Sequence, residues 1–168
     1  MKNLVLTGMM GSGKTTCARL LAEALGREMI DTDAEVVRRD GRPISRIFAE
    51  DGEKAFRDLE TAVAAGLAGR SGLVIATGGG MVLRRENMDA LRRNGFVVFL
   101  DRPAGQIFDT TSMAGRPLAR DGKEAFLRTF AEREPLYRAG ADYICRNFSA
   151  PAATVREILA VIKHMEGF

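Results

Sequence analysis

The segment GMMGSGKT from Gly8 to Thr15 matches the Walker A pattern G-x-x-x-x-G-K-[S/T]. An apolar run at Asn3–Thr7 predicts a buried strand before it, and apolar residues at helical spacing predict a helix after it that ends near Gly26. In a strand–loop–helix of this kind, backbone amides and the positive end of the helix bind phosphate oxygens. The pattern therefore predicts a triphosphate site in which Lys14 reaches the terminal phosphates and Thr15 holds magnesium.

The rest of the chain alternates short apolar runs with amphipathic helical segments. Helices are predicted at 44–68, with an interruption near Gly52, at 85–93, and around Val155–Ile162. Strands that are apolar on both faces and alternate with helices indicate an α/β fold, a parallel sheet covered on each side. Such sheets bind ligands at the carboxyl ends of their strands. Further strands are predicted at Glu28–Ile30, Leu73–Ala76, Phe96–Leu100 and Tyr143–Cys145.

Composition restricts the class of protein. The 168 residues, 46% hydrophobic and 28% charged, predict one globular domain over residues 1–168. A net charge of +3, without a basic cluster interleaved with aromatic residues, gives no indication of nucleic acid binding. No apolar run approaches the roughly 18 residues of a membrane span, and the N-terminus shows no secretory signal. We therefore expect a cytoplasmic protein, in which Cys17 and Cys145 are reduced and buried.

Two aspartates follow the second predicted strand. In an extended chain, the spacing of Asp31 and Asp33 would place both carboxylates on one side. One could hold a magnesium-bound water while the other accepts the proton of an attacking hydroxyl, or both could simply cap a turn or helix. Asp101, at the end of the apolar run FVVFLD, fits the second magnesium ligand at least as well. From the residues alone, Asp31 and Asp101 both remain candidates.

Two arginines and a glycine triplet have the chemistry of an anion site. Arg57 lies in a helical segment with Glu60 three residues on, able to orient it. Arg133 comes shortly before Pro135, which we expect to end its helix. Planar guanidinium groups suit a carboxylate, although a solvated helix face is the commoner place for an arginine. The triplet Gly78–Gly80 would let a flat ligand lie against the backbone.

The segment from Thr110 to Lys123 is rich in small residues and contains two arginines. This composition is typical of a mobile lid that closes a cation over phosphates, with an ordinary surface loop as the alternative. Arg116, stiffened by Pro117, is the first candidate for that cation and Arg120 the second.

The ordered segments GMMGSGKTT, DTD, GEKAFRDLE, ATGGG, GRPL and REPLYRAGAD resemble the shikimate kinase family along nearly the whole chain. The resemblance implies a three-layer P-loop kinase fold with a five-stranded parallel sheet in the order 2-3-1-4-5. It implies a lid at about 110–123 and an acceptor-binding helical segment at about 33–61. The implied reaction transfers the γ-phosphate of ATP to the 3-hydroxyl of shikimate with Mg²⁺. We expect a monomer whose partners are these small molecules.

The resemblance also implies a role for each candidate residue. Thr15 and Asp31 would serve magnesium, which favours Asp31 over Asp101. Asp33 would bind the ring hydroxyls and act as general base. The remaining implied roles are a phosphate cradle of Gly11, Ser12, Gly13, Lys14, Thr15 and Thr16, a carboxylate clamp of Arg57 and Arg133, a ring-lining turn of Gly78, Gly79 and Gly80, and a lid cation, Arg116.

Two segments depart from the family pattern. Phe108–Thr110 stands where many members carry an arginine over the adenine, and Asn147–Pro151 lacks an arginine that some relatives have. The adenine-binding residues therefore stay open. A gluconate or nucleoside monophosphate kinase is the alternative enzyme, but it gives the glycine triplet with its two arginines no specific role. A catalytically silent nucleotide-binding module would be expected to have lost Lys14, Asp33 or the lid arginine.

Overall fold

The computed structural model of the chain describes residues 1–110, 122–146 and 150–168. Within these ranges the apolar runs form a parallel sheet in the order β2-β3-β1-β4-β5, which confirms the predicted fold. Leu4 of the central strand pairs with Val74 on one side and with Phe96 on the other. The strands are β1 Asn3–Thr7, β2 Met29–Asp31, β3 Val74–Ala76, β4 Gly95–Leu100 and β5 Tyr143–Cys145.

Helices cover both faces of this sheet. They are α1 Lys14–Leu25, α2 Thr32–Asp40, α3 Ile44–Ala68, α4 Arg85–Arg92, α5 Ala104–Thr110, α6 Gly122–Gly140 and α7 Pro151–Ile162, with a short 3₁₀ turn at Met81–Leu83. Inside α3, Gly52 has non-helical angles (φ 83°, ψ 175°), which confirms the predicted interruption. No helix within the described ranges is long and apolar enough to cross a membrane.

Alternation along the strands divides the core into two layers. In β1, Val5 packs into the cluster covered by α3, α4 and α6, whereas Leu4 and Leu6 pack into the one covered by α1 and α7. A period of two explains this division, because successive side chains point to opposite faces of a sheet. Cys17 and Cys145 are free and buried in the second cluster, as predicted.

Two local predictions are wrong. Asp31 and Asp33 do not lie on one extended chain: Asp31 ends β2, and its side chain caps α2 by accepting from the amides of Asp33 and Ala34, so the helix begins at Thr32. Pro135 does not end its helix either, since α6 continues through it to Gly140. Proline costs α6 one backbone hydrogen bond, and the burial of later residues such as Tyr137 offsets that loss.

The predicted lid is described only at its ends. Thr110 closes α5, a helix that the sequence did not predict, and Gly122 opens α6. Residues 111–121, with Arg116 and Arg120, lie outside the described residues, as do residues 147–149.

Candidate active site

The phosphate loop lies between the carboxyl end of β1 and the start of α1. Its glycines at 8, 11 and 13 all have positive φ, which a glycine adopts without strain. A side chain at Gly8 would also approach the Ser12 hydroxyl to 2.9 Å and the Leu100 carbonyl oxygen to 3.0 Å. The Lys14 ammonium donates to the carbonyl oxygens of Gly8 and Met9, each at 2.8 Å, and the side chain is almost fully buried. Lys14 therefore curls back over the loop, and its charge lies within the phosphate cradle.

Asp31 connects the phosphate loop to the second half of the site. The Thr15 hydroxyl donates to Asp31 Oδ2 at 3.1 Å. Asp31 Oδ1 accepts from the amides of Asp33 at 3.0 Å and Ala34 at 3.3 Å. One carboxylate thus caps α2 and contacts the loop residue that is the candidate magnesium ligand. The two predicted roles of Asp31, as the cap of a helix and as part of a metal site, are compatible.

Asp101, the other candidate for magnesium, has structural partners instead. Its Oδ2 accepts from Arg138 Nη2 at 2.7 Å, and Arg146 Nε lies 3.8 Å from the same oxygen. Its amide donates to the Cys145 carbonyl oxygen at 2.8 Å. The carboxylate therefore ties the end of β4 to α6 and to the segment after β5.

A cavity of about 690 Å³ opens beside the phosphate loop, between the start of α2, the middle of α3, the turn after β3 and α6. This volume falls in the usual range for small-molecule sites. One wall is apolar and includes Phe48 and Phe56. Charged and backbone groups form the rest of the lining, and the Arg57 guanidinium lies over the Phe56 ring, 5.2 Å from its centroid. The candidate residues that line the cavity are Asp33, Arg57, Gly79, Gly80 and Arg133.

At two positions of the glycine triplet, Gly78 and Gly80, charged side chains occupy the space where a side chain would be. A Cβ on Gly78 would collide with Asp33 Oδ1, and one on Gly80 would lie only 2.6 Å from Arg57 Cζ. The amide of Gly78 donates to the buried Thr32 hydroxyl at 2.8 Å, which fixes the turn against α2. The triplet lets the backbone approach both functional side chains closely.

Arg57 is held by two carboxylates. Its Nη1 donates to Glu60 Oε2 at 2.6 Å, and its Nη2 donates to Glu53 Oε1 at 3.1 Å. Burial lowers the pKa of the Arg57 guanidinium. The hydrogen bond and charge of Glu60, and then those of Glu53, outweigh the effect of burial, so the pKa is raised. The pKa of Glu60 is raised because burial outweighs the attraction of Arg57. Within the described part of the chain, Glu60 Oε1 has no hydrogen-bond partner.

Asp33 has the electrostatics of a base. Burial raises the pKa of its carboxyl, and the charge of Asp31 raises it further, while Lys14 and Arg57 act in the opposite direction. A carboxylate with a raised pKa holds a proton better than an exposed aspartate does, and this suits general base catalysis. Asp33 lies at the boundary between the phosphate loop and the cavity.

Tyr137 is a site residue that sequence reasoning missed. It is buried, its hydroxyl donates to the Gly79 carbonyl oxygen at 2.6 Å, and its ring stacks on Phe99 with centroids 5.1 Å apart. Burial raises the pKa of the Tyr137 hydroxyl to about 12, so it remains a donor. Arg133 precedes it by one helical turn in α6. The spacing of four would have revealed this pair, had the helix not been predicted to end at Pro135.

Comparison with known proteins identifies the family of the chain. A family model described as shikimate kinase matches residues 10–163. The shikimate kinase of Chromohalobacter salexigens is 46% identical, covering 96% of this chain and 92% of its own, and that of Caldicellulosiruptor bescii is 41% identical, covering 96% and 95%. The solved structure of the Acinetobacter baumannii shikimate kinase in complex with shikimate superimposes with a TM-score of 0.90 at 35% identity, covering 99% of this chain and 96% of that one. The chain belongs to the shikimate kinase family.

Proposed function

We propose that this chain transfers the γ-phosphate of ATP to the 3-hydroxyl of shikimate and releases shikimate 3-phosphate and ADP. The observation that carries the proposal is the position of Asp31, whose two oxygens contact the phosphate-loop residue Thr15 and the first turn of the helix that bears Asp33. This contact brings a phosphate site and an acceptor pocket together at one sheet edge, as direct transfer between two small molecules requires.

The acceptor pocket suits a small ring that carries one carboxylate and several hydroxyls. Arg57 and Arg133 would bind the carboxylate, because planar guanidinium groups match its geometry. Asp33 would accept a hydrogen bond from the reacting hydroxyl. The backbone of Gly79 and Gly80 would lie against the ring, and Phe48 and Phe56 would supply apolar contacts.

In the reaction, the 3-hydroxyl oxygen forms a bond to the γ-phosphorus as the bond from that phosphorus to the ADP oxygen breaks. Asp33 takes the hydroxyl proton, which its raised pKa favours. Lys14, held over the loop by the Gly8 and Met9 carbonyls, neutralises charge on the transferring phosphate. The phosphate cradle would comprise Gly11, Ser12, Gly13, Lys14, Thr15 and Thr16.

Magnesium fits the oxygen donors at the loop. Thr15 Oγ1 and Asp31 Oδ2 lie 3.1 Å apart, and hydroxyl and carboxylate oxygens are the ligands that Mg²⁺ takes. When bound, the ion neutralises charge on the phosphate oxygens. Mg²⁺ usually keeps several waters, so two protein groups are sufficient. Asp101 is excluded from this role in our proposal, because Arg138 already neutralises it.

The remaining parts of the proposal extend the family resemblance. Arg116 would be the cation that a lid delivers to the phosphates, and residues 1–168 would form a single domain that acts as a cytoplasmic monomer. The lid would close over both substrates and exclude water from the transfer.

A coupled assay of ADP release tests the function. We expect turnover to require Mg·ATP and shikimate together, and to be far slower with gluconate or AMP as acceptor. The Asp33→Asn variant is the control against a contaminating kinase, because it should lose shikimate-dependent turnover. Equal wild-type turnover with gluconate or AMP would refute the assignment of the acceptor.

A further inference from the structure

The two carboxylates that hold Arg57 differ sharply in their surroundings. Glu60 is 1% exposed and lies 2.6 Å from Nη1, so it is fixed in the protein interior. Glu53 is 63% exposed and contacts the opposite edge of the guanidinium. The buried partner has no alternative to Arg57, whereas the exposed partner can turn into solvent. The first contact is therefore permanent and the second is exchangeable.

Glu53 occupies one of the two edges of Arg57 at which a carboxylate can bind through two parallel hydrogen bonds. Its Oε1 accepts from both Nε at 3.3 Å and Nη2 at 3.1 Å, and these two donors form the parallel fork that binds carboxylates bidentately. Glu60 accepts from the third nitrogen, Nη1. Glu53 and Arg57 both line the acceptor cavity. A glutamate thus stands at an edge of Arg57 where the acceptor carboxylate would bind.

We propose that Glu53 is an internal competitor that lowers the affinity of the pocket for anions and must be displaced by the acceptor carboxylate. The inference rests on the proposed function, in which Arg57 binds that carboxylate. An acceptor that also engages Arg133 gains enough to displace Glu53. A simple carboxylate that reaches Arg57 alone does not gain enough to displace Glu53. Glu53 therefore makes the pocket selective for acceptors that contact both arginines.

The alternative hypothesis is that Glu53 orients Arg57 for the substrate. Other groups already orient Arg57. Glu60 fixes one side of the guanidinium, the centroid of the Phe56 ring lies 5.2 Å from its Cζ, and Gly80 approaches so closely that a Cβ there would lie 2.6 Å from the same atom. These contacts determine the position of Arg57 without Glu53. The two roles predict opposite signs: losing a competitor tightens acceptor binding, whereas losing an orienting group weakens it.

The test is Glu53→Gln, which removes the charge and keeps the shape. Exposed ion pairs are weak, so we expect the shikimate KM and Kd to fall about two- to fivefold. The ATP KM should change far less than the shikimate KM. Acetate should inhibit the variant at lower concentration than the wild type. The carboxamide analogue of shikimate, which has no carboxylate to compete, should bind both proteins equally.

Glu50→Gln is the matched control. Glu50 lies in the same helix and also pairs with an arginine four residues away, Arg46, at 2.5 Å, but it does not line the cavity. This variant should leave the shikimate KM unchanged. A higher or unaltered shikimate Kd in Glu53→Gln, or equal gains in both variants, would overturn the proposal. A wild-type protein that does not phosphorylate shikimate would refute the proposed function instead, and shikimate titration, which needs no turnover, would still decide the role of Glu53.

Discussion

Replacing Gly80 by alanine should displace Arg57 without straining the backbone. Gly80 has φ −93° and ψ 0°, angles that alanine tolerates. The added methyl group would lie 2.6 Å from Arg57 Cζ and 2.8 Å from Nη2, whereas ordinary contacts begin at 3.4 Å. The guanidinium must therefore retreat by at least 0.8 Å (3.4 − 2.6), because its Nη1 would lie even closer to the methyl group than Cζ does. Such a shift weakens its bond to the buried Glu60 and misplaces the donors for the acceptor carboxylate.

The size of the effect follows from this shift. A misplacement of roughly 1 Å can cost about 10²-fold in rate, and partial relaxation of a flexible side chain recovers some of it. We expect kcat/KM for shikimate to fall by about 10- to 100-fold, which corresponds to about 1.4 to 2.7 kcal/mol. The ATP KM should change little, because the phosphate loop is not touched.

Steady-state kinetics with each substrate varied in turn measures this prediction. Gly69→Ala is the matched control, because Gly69 has almost the same angles (φ −85°, ψ −5°). Among the described residues, a Cβ there would meet only the Gly66 carbonyl oxygen, at 3.9 Å. It should retain wild-type kinetics. If the methyl group acts through Arg57, Gly80→Ala should add little to the defect of Arg57→Ala. Normal shikimate kinetics in Gly80→Ala, or full additivity with Arg57→Ala, would refute the reasoning.

Three further substitutions test other parts of the site. Asp31→Asn should slow turnover and raise the Mg²⁺ concentration that turnover requires. Asp101→Asn should mainly lower the free energy of unfolding, because it frees Arg138. Magnesium titrations and urea unfolding measure the two effects, and the reverse result would make Asp101 the metal ligand. Arg133→Ala should raise the shikimate KM by a factor equivalent to about 1 to 3 kcal/mol and the ATP KM far less. A variant whose main defect is a raised ATP KM would contradict the placement of Arg133 in the acceptor pocket.

Asp33→Asn should reduce kcat by roughly 10²- to 10⁴-fold. Because folding raises the pKa of Asp33, its stabilising contribution is present at low pH and is lost as pH rises through that pKa, so the asparagine variant should be at least as stable as the wild type at pH 7. Wild-type kcat/KM should fall as pH is lowered through the same raised pKa. If the asparagine variant shows the same fall at low pH, the pH dependence belongs to another group.

Much of the fold could be predicted because its information is local. The strands at Asn3–Thr7 and Tyr143–Cys145 have the predicted bounds, and the interruption of α3 lies at Gly52. These features depend on runs of apolar residues and on the backbone freedom of one glycine. The continuation of α6 through Pro135 could not be predicted in this way, because packing of the following turn outweighs the local cost of the proline.

The same distinction applies to the site. The sequence alone determined that a phosphate loop would follow the first strand, and it determined which acids, arginines and glycines were candidates. Only the tertiary structure decided that Asp31 contacts Thr15 while Asp101 pairs with Arg138, and that Glu60 is buried against Arg57. Periodicity indicates the face of an element on which a side chain lies. The partner of that side chain depends on how elements distant in the chain pack together, and the pKa of each group follows from that packing.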